Sequence, residues 1–117
     1  MKRRVIQIQD LIARELAVIF SREMEFPVGA FPSIIKVKVS EDLRHALVWI
    51  GVVPPEKRQE VLKCLNKNIS QLQSFLNQRL TMKFPPRLLF KIDTTSDKVQ
   101  RIEELVAEIH QEDDHTK

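Results

Sequence analysis

A chain of 117 residues, 43% of them hydrophobic, has the size of one domain and can bury one core. Its single cysteine excludes an internal disulfide and suits a reducing compartment, and no apolar run is long enough to cross a membrane. The formal net charge of +3 conceals an uneven distribution of charge. From Lys57 to Lys91 there are eight Lys or Arg residues and a single acid, Glu60, whereas the chain from Ile92 onward is acidic.

The first predicted element is an amphipathic helix from Arg3 to Arg22, where apolar residues recur at spacings of three and four. Its basic start is followed by Gln7 and Gln9 instead of the apolar run of a signal peptide. A soluble protein of the cytoplasm is therefore expected. Prolines at both ends of Phe26 to Pro32 exclude a continuing helix there.

A half-buried strand is predicted from Ile34 to Val39, because apolar residues alternate with lysines. Ile35 and the alternate residues after it are expected to face the core, with Lys36 and Lys38 on the other side. Ser40 to Asp42 has the side chains of a turn, since Ser and Asp can bond their own backbone.

Ala46 to Val53 is almost continuously apolar and indicates a second, more buried strand, antiparallel to the first. Trp49 is expected to point into the core. After the Pro54-Pro55 stop, apolar residues at helical spacing from Leu62 to Leu80 predict one long helix. Asn68 to Ser70 are weaker helix formers that can compete for backbone hydrogen bonds, so a straight and a kinked helix both remain open.

Arg87 to Ile92 is predicted to be a third strand, and Asp93 to Asp97 supplies several candidate N-caps for a final helix with its apolar stripe from Val99 to Ile109. The chain is thus an α+β domain with a three-stranded sheet, covered by helices on at least one face. We expect the domain to occupy residues 1–110. The acidic residues 111–117 lack apolar side chains and are expected to form a flexible tail.

One functional hypothesis is a small hydrolase. Asp42 and His45 near the predicted turn, with Asp93 after the third strand, would give acid–base groups only if the fold brought them together. A turn-forming Asp and a surface His are the expected roles instead. Only two glycines are present, so there is no Gly-rich phosphate loop, and His110 and His115 do not have metal-site spacing. No catalytic residue, metal or cofactor is expected.

A nucleic-acid-binding surface is the favoured hypothesis, because a basic region of this kind attracts phosphates. Few aromatic residues and no tyrosine favour contacts to the RNA backbone over a base-stacking platform. The alternative is a protein-interaction module that uses the open sheet face or an edge strand. The candidate basic residues, which could line one groove, lie on a helix, on strands and beside the Pro-Pro turn: Lys63 and Lys67; Lys36, Lys38 and Lys91; Lys83 and Arg87.

The chain resembles a known family. The stretch Val37 to Ile50 is similar to the V-x-V-S-x-D-L-x-x-A-x-V-x-V signature of ribosome-binding factor A, a bacterial maturation factor of the small ribosomal subunit. Leu65-Asn66-Lys67 and Pro86 to Asp93 also resemble that family's pattern, and the resemblance covers almost the whole chain.

The resemblance implies a KH-like fold of the second type and no catalysis. It further implies binding to the free or immature 30S subunit through 16S rRNA, as an aid to late maturation that includes the 5′-end region and matters most in the cold. A monomer without membrane association is expected.

The resemblance also bears on the RNA contacts. The family replaces the usual KH glycine loop by a helix kink, and Asn68-Ile69-Ser70 stands at that position here. Asn68 and Ser70 therefore join the candidate RNA-binding residues. Gln73 stands where the family commonly has an arginine, which removes one possible phosphate contact.

Overall fold

The computed structural model describes residues 2–95, 97, 105 and 106. Thr95, Asp97, Leu105 and Val106 are helical, while the rest of the predicted final helix and the acidic tail 111–117 lie outside the described residues. The elements follow in this order: α1, Lys2–Glu23; β1, Phe31–Val39; β2, His45–Val53; a turn of 3-10 helix, Pro55–Lys57; α2, Arg58–Lys67; α3, Ile69–Arg79; and β3, Arg87–Ile92.

The three strands form one sheet in the order β1-β2-β3. β1 runs antiparallel to β2, and β3 runs parallel to β2. Parallel neighbours require a crossover connection, which α2 and α3 provide. The predicted α+β class and three-stranded sheet are confirmed.

All three helices pack on one face of the sheet. Among the described residues, the buried side chains are apolar, and no charged or polar residue is buried. Each large apolar side chain that is fully buried stabilises the fold by about 1.5–3 kcal/mol. Because α1, α2 and α3 share one face, these helices leave the other face of the sheet uncovered. The fully buried core residues include Ile12, Leu16 and Ile19 of α1, Val48 and Ile50 of β2, Val61 and Leu65 of α2, Leu72 and Leu76 of α3, and Leu88 of β3.

β1 contains a bulge at Ile35. The register with β2 shifts between Ile34 and Lys36, so Ile34 packs against the core and Ile35 is 52% exposed. The Ile35 side chain lies across Gly51, where an added Cβ atom would stand 2.9 Å from Ile35 Cδ1. The prediction that Ile35 faces the core is wrong, because an alternating pattern does not reveal an inserted residue.

Glutamine side chains cap both edge strands. Gln9 of α1 accepts a hydrogen bond from the Val39 N–H at 3.0 Å. Gln73 of α3 donates through Nε2 to the carbonyl of Pro86 and accepts through Oε1 from the N–H of Leu88, both at 2.9 Å. At these positions the backbone groups that point away from the sheet are therefore satisfied within the chain.

The long helical segment predicted from Leu62 to Leu80 is broken at Asn68. This residue has φ −103° and ψ 15°, and that ψ lies roughly 60° from the helical value. Its side-chain amide donates to the carbonyl of Cys64 at 2.8 Å, which is the competition for backbone groups expected of asparagine. The structure thus resolves the open question in favour of two helices joined by one residue.

An ion pair connects the chain after β3 to α2. Arg58 donates from both terminal nitrogens to the two carboxylate oxygens of Asp97, each at 2.6 Å. Just before it, Asp93 Oδ1 accepts from the N–H and the hydroxyl of Thr95, which is the local side-chain to backbone bonding typical of Asp in a turn. Arg58 lowers the pKa of Asp97, and Thr95 lowers the pKa of Asp93.

Asp97→Asn is expected to lower the thermal midpoint at about pH 7, with a difference from wild type that shrinks toward about pH 3. The folded pKa of Asp97 lies below the usual 3.8, so its carboxylate stabilises the fold above that value. This stabilisation is lost as the pH falls through the folded pKa. Thermal unfolding across this pH range measures the effect. Asp10→Asn, at an exposed position of α1, is the control, and a pH-independent difference for Asp97→Asn would contradict the expectation.

Candidate RNA-binding surfaces

The open face of the sheet combines basic and apolar side chains. Trp49 of β2 lies between Lys36 of β1 and Lys91 of β3, and Lys36 Nζ lies 4.3 Å from the centroid of its ring. Lys38 lies one row further along, beside Leu47. All three lysines are exposed. We call the surface formed by these five residues the open face.

The prediction that Trp49 points into the core is wrong. Trp49 is half-buried on the open face, because the alternate residues of β2, Ala46, Val48 and Ile50, enter the core instead. A continuous apolar run contains no alternation from which to choose the face. The open face therefore carries an aromatic ring, already in a cation–π contact with Lys36.

Lys63 and Lys67 lie on the opposite, helical side of the molecule. Both are exposed on α2, whose other side is buried in the core. Asn68 is half-buried at the helix break, and Ser70 is exposed in the first turn of α3. The start of a helix presents backbone N–H groups and a positive dipole end, which favour phosphate. These four residues form what we call the helix-break surface.

A groove of about 830 Å³ lies at the end of the sheet where β2 and β3 begin. Its Lys and Arg residues come from three parts of the chain: Arg4 at the start of α1, Arg44 after the β1–β2 turn, and, from the α3–β3 connection, Lys83 in the loop and Arg87 at the start of β3. Phe84 also lines it. We call this site, with these five residues, the end groove.

The one acid among the lining residues of the end groove, Asp42, has a structural task. Its Oδ1 accepts from the Ser40 hydroxyl at 2.6 Å and from the Arg44 N–H at 3.1 Å. These two hydrogen bonds lower the pKa of Asp42. Leu43 of the same turn has φ 60°, an unusual value for a residue with a side chain. Asp42 thus holds the turn, as the sequence predicted.

The three candidate acid–base residues of the hydrolase hypothesis do not converge. His45 is the first residue of β2, whereas the N–H of Asp93 bonds to the carbonyl of Ile50 further along that strand. Five residues of strand separate the two positions by about 16 Å. Asp42 and His45 therefore cannot act with Asp93 on one substrate atom.

Two further searches cover the described part of the chain only. There, no group of three or more His, Cys, Asp or Glu residues could hold a metal ion. None of the helices in the same residues has both the length and the apolar character needed to cross a bilayer.

The structure does not bring the nine predicted RNA-binding residues to one groove. They lie on three surfaces: one face of the sheet, the helices on its other face, and the end of the sheet where β2 and β3 begin. The sequence did not identify Arg4 and Arg44 as neighbours of Lys83, because only the fold brings the start of α1 and the β1–β2 turn to the α3–β3 loop. The groups are Lys36, Lys38 and Lys91 on the open face; Lys63, Lys67, Asn68 and Ser70 on the helix-break surface; and Lys83 and Arg87 in the end groove.

Comparisons with known proteins agree on one family. The family model described as ribosome-binding factor A matches residues 4–106. The ribosome-binding factor A of Akkermansia muciniphila is 36% identical over 106 residues, covering 91% of this chain and 82% of that protein. The protein of the same name from Halothermothrix orenii is 33% identical over 114 residues, covering 97% and 93%.

Solved structures show the same fold. The crystal structure of ribosome-binding factor A from Thermus thermophilus superposes with a TM-score of 0.56 at 21% identity, covering 78% of this chain and 92% of that one. A homology model of the Thermus thermophilus factor, fitted into the cryo-EM map of its complex with 30S, gives a TM-score of 0.55 at 22% identity and covers 74% and 88%. The KH-like fold of the second type is confirmed.

Proposed function

The chain belongs to the ribosome-binding factor A family, and from this premise we propose that it binds the free or immature 30S ribosomal subunit through 16S rRNA. The observation that carries the proposal is the family match over residues 4–106, together with the 30S complex of a structurally similar factor. In this proposal the protein acts as a cytoplasmic monomer that assists late maturation of the subunit, including its 5′-end region, above all in the cold. Residues 1–110 act as the RNA-binding domain and residues 111–117 as a flexible acidic tail.

The charge distribution supports RNA as the partner. Lys36, Lys38 and Lys91 project from the open face, and Lys63 and Lys67 project from α2. Exposed amines bind phosphate and release counterions from the RNA when they do so. Asn68 and Ser70 add the start of α3 to the proposed contacts. Lys83 and Arg87 contribute from the end groove.

A protein-interaction module is the second candidate, and one observation favours it. Large apolar side chains of the strands are exposed without cover from the described residues, among them Ile35 at 52% and Leu89 at 46%. Docking by strand addition is less favourable, because Gln9 and Gln73 already occupy the outward backbone groups of Val39 and Leu88.

Co-sedimentation with purified 30S subunits and with complete ribosomes tests the proposal. We expect binding to free 30S subunits that weakens strongly between about 50 mM and about 200 mM salt, since phosphate contacts dominate. Binding that persists after nuclease treatment and changes little with salt would favour the protein-interaction module. Absence of binding to 30S subunits at either salt concentration would refute the proposed function.

A further inference from the structure

We propose that the end groove binds a single-stranded stretch of RNA, with phosphates on its arginines and lysine and one base stacked on Phe84. This inference rests on the proposed function in one respect, that the partner is RNA. It goes further by naming the form of RNA, the groove that takes it and the side chain that contacts a base.

The charges of the end groove indicate a polyanion with spaced charges. Arg4, Arg44 and the pair Lys83 and Arg87 come from three parts of the chain that the fold brings together. The carboxylate of Asp42 is the only acidic group among the described residues that line the groove, and it is engaged within the turn. A single small anion would leave most of these cations without a partner. A phosphodiester chain carries one charge per nucleotide and can meet several of them in turn.

Phe84 adds a feature that phosphate binding alone does not need. Its side chain is 77% exposed although it belongs to the lining of the groove. Lys83 Nζ lies over the ring, 5.6 Å from its centroid, so a cation stands at one face of the ring while most of the residue stays exposed. Aromatic rings next to basic side chains are the usual arrangement for stacking the bases of single strands.

The combination favours a single strand over a double helix. In a duplex the bases are paired and stacked on each other, so a ring at the rim of a groove meets only backbone. An unpaired strand can turn a base onto Phe84 while its phosphates reach the cations. The groove volume of about 830 Å³ lies within the range of sites that enclose small ligands. An acidic protein segment would match the charges but would gain little from the ring.

Fluorescence anisotropy with a labelled oligouridylate of about eight nucleotides tests the inference on the full chain. We expect Phe84→Ala to weaken binding about tenfold, which is the loss of one stacked base. Phe31→Ala is the matched control, because Phe31 is a similarly exposed phenylalanine, at the start of β1, and it should leave binding unchanged. Arg44→Gln should lower the salt dependence by about one phosphate contact.

Several results would overturn the inference. The inference fails if the wild type does not bind oligouridylate detectably, or if Phe84→Ala binds it as tightly as the wild type does. The inference would also fail if Phe84→Ala lost affinity for an RNA duplex of about 16 base pairs as much as for oligouridylate. It would fail as well if polyglutamate displaced the labelled oligonucleotide as effectively as unlabelled oligouridylate does. Co-sedimentation of the wild type with 30S subunits separates the two proposals. If it binds 30S while Phe84→Ala keeps full affinity for oligouridylate, only the groove inference fails; if it does not bind 30S, the proposed function fails whatever the oligonucleotide does.

Discussion

Replacing Gln73 by alanine is expected to lower the free energy of unfolding by about 2 kcal/mol, because two hydrogen bonds to buried backbone groups are lost and their partners stay in place. A third, exposed hydrogen bond, from Gln73 Nε2 to Asn77 Oδ1 at 3.0 Å, is lost as well. The amide of Gln73 satisfies the carbonyl of Pro86 and the N–H of Leu88, and both of these residues are buried. Urea denaturation measures the change in free energy. Thermal unfolding should show a midpoint lowered by roughly 8 °C.

Gln71→Ala is the matched control for this change. Gln71 has the same side chain on the same helix but is exposed, so its removal should change stability by less than about 0.5 kcal/mol. Equal stabilities of the two variants would contradict the role given to Gln73. An arginine at position 73 could donate to the Pro86 carbonyl but has no acceptor for the Leu88 N–H. Gln73 is therefore a structural residue in this chain.

Charge reversal on the two main basic surfaces is expected to weaken 30S binding by about 10- to 100-fold for each pair of lysines. The two double variants are Lys36→Glu with Lys91→Glu on the open face, and Lys63→Glu with Lys67→Glu on α2. All four side chains are exposed, so the fold should persist. Co-sedimentation across a salt series measures both the affinity and its salt dependence, which should fall by about two phosphate contacts per double variant.

Arg14→Glu with Arg22→Glu is the control for net charge. Both arginines lie on α1, are exposed and stand outside the three surfaces, and the charge change is the same. If this control weakens binding as much as the lysine pairs do, the effect is one of net charge and not of position. If either lysine pair binds 30S subunits like wild type at about 200 mM salt, the corresponding surface is not an RNA contact.

Local periodicity is enough to predict the order of helices and strands up to β3, apart from the break at Asn68. The helical spacing of α1 and the bounds of β3 follow from the sequence, because each is encoded within a few turns or residues. The break at Asn68 stays open on the sequence alone, since weak helix propensity allows a bend without requiring one. The structure decides it through the hydrogen bond from the Asn68 side chain to Cys64.

Features that depend on distant parts of the chain could not be predicted. The bulge at Ile35 is set by the pairing of β1 with β2. The face on which Trp49 lies is set by which residues of β2 pack against the helices. The end groove unites Arg4 and Arg44 with residues of the α3–β3 loop, which lie far away in sequence. The basic middle of the chain is therefore enough to predict a class of partner but not the surfaces that would meet it.

The glutamine caps of the two edge strands also bear on how the protein behaves when it is concentrated. A sheet whose outer strands expose free backbone groups can add a strand from another copy, and each addition leaves a new free edge, so growth does not stop. Gln9 interrupts this at Val39, and Gln73 interrupts it at Pro86 and Leu88. A sheet of three strands with one uncovered face would otherwise be prone to aggregation. Two side-chain amides thus help to keep copies of the protein apart while its open face stays available to a partner.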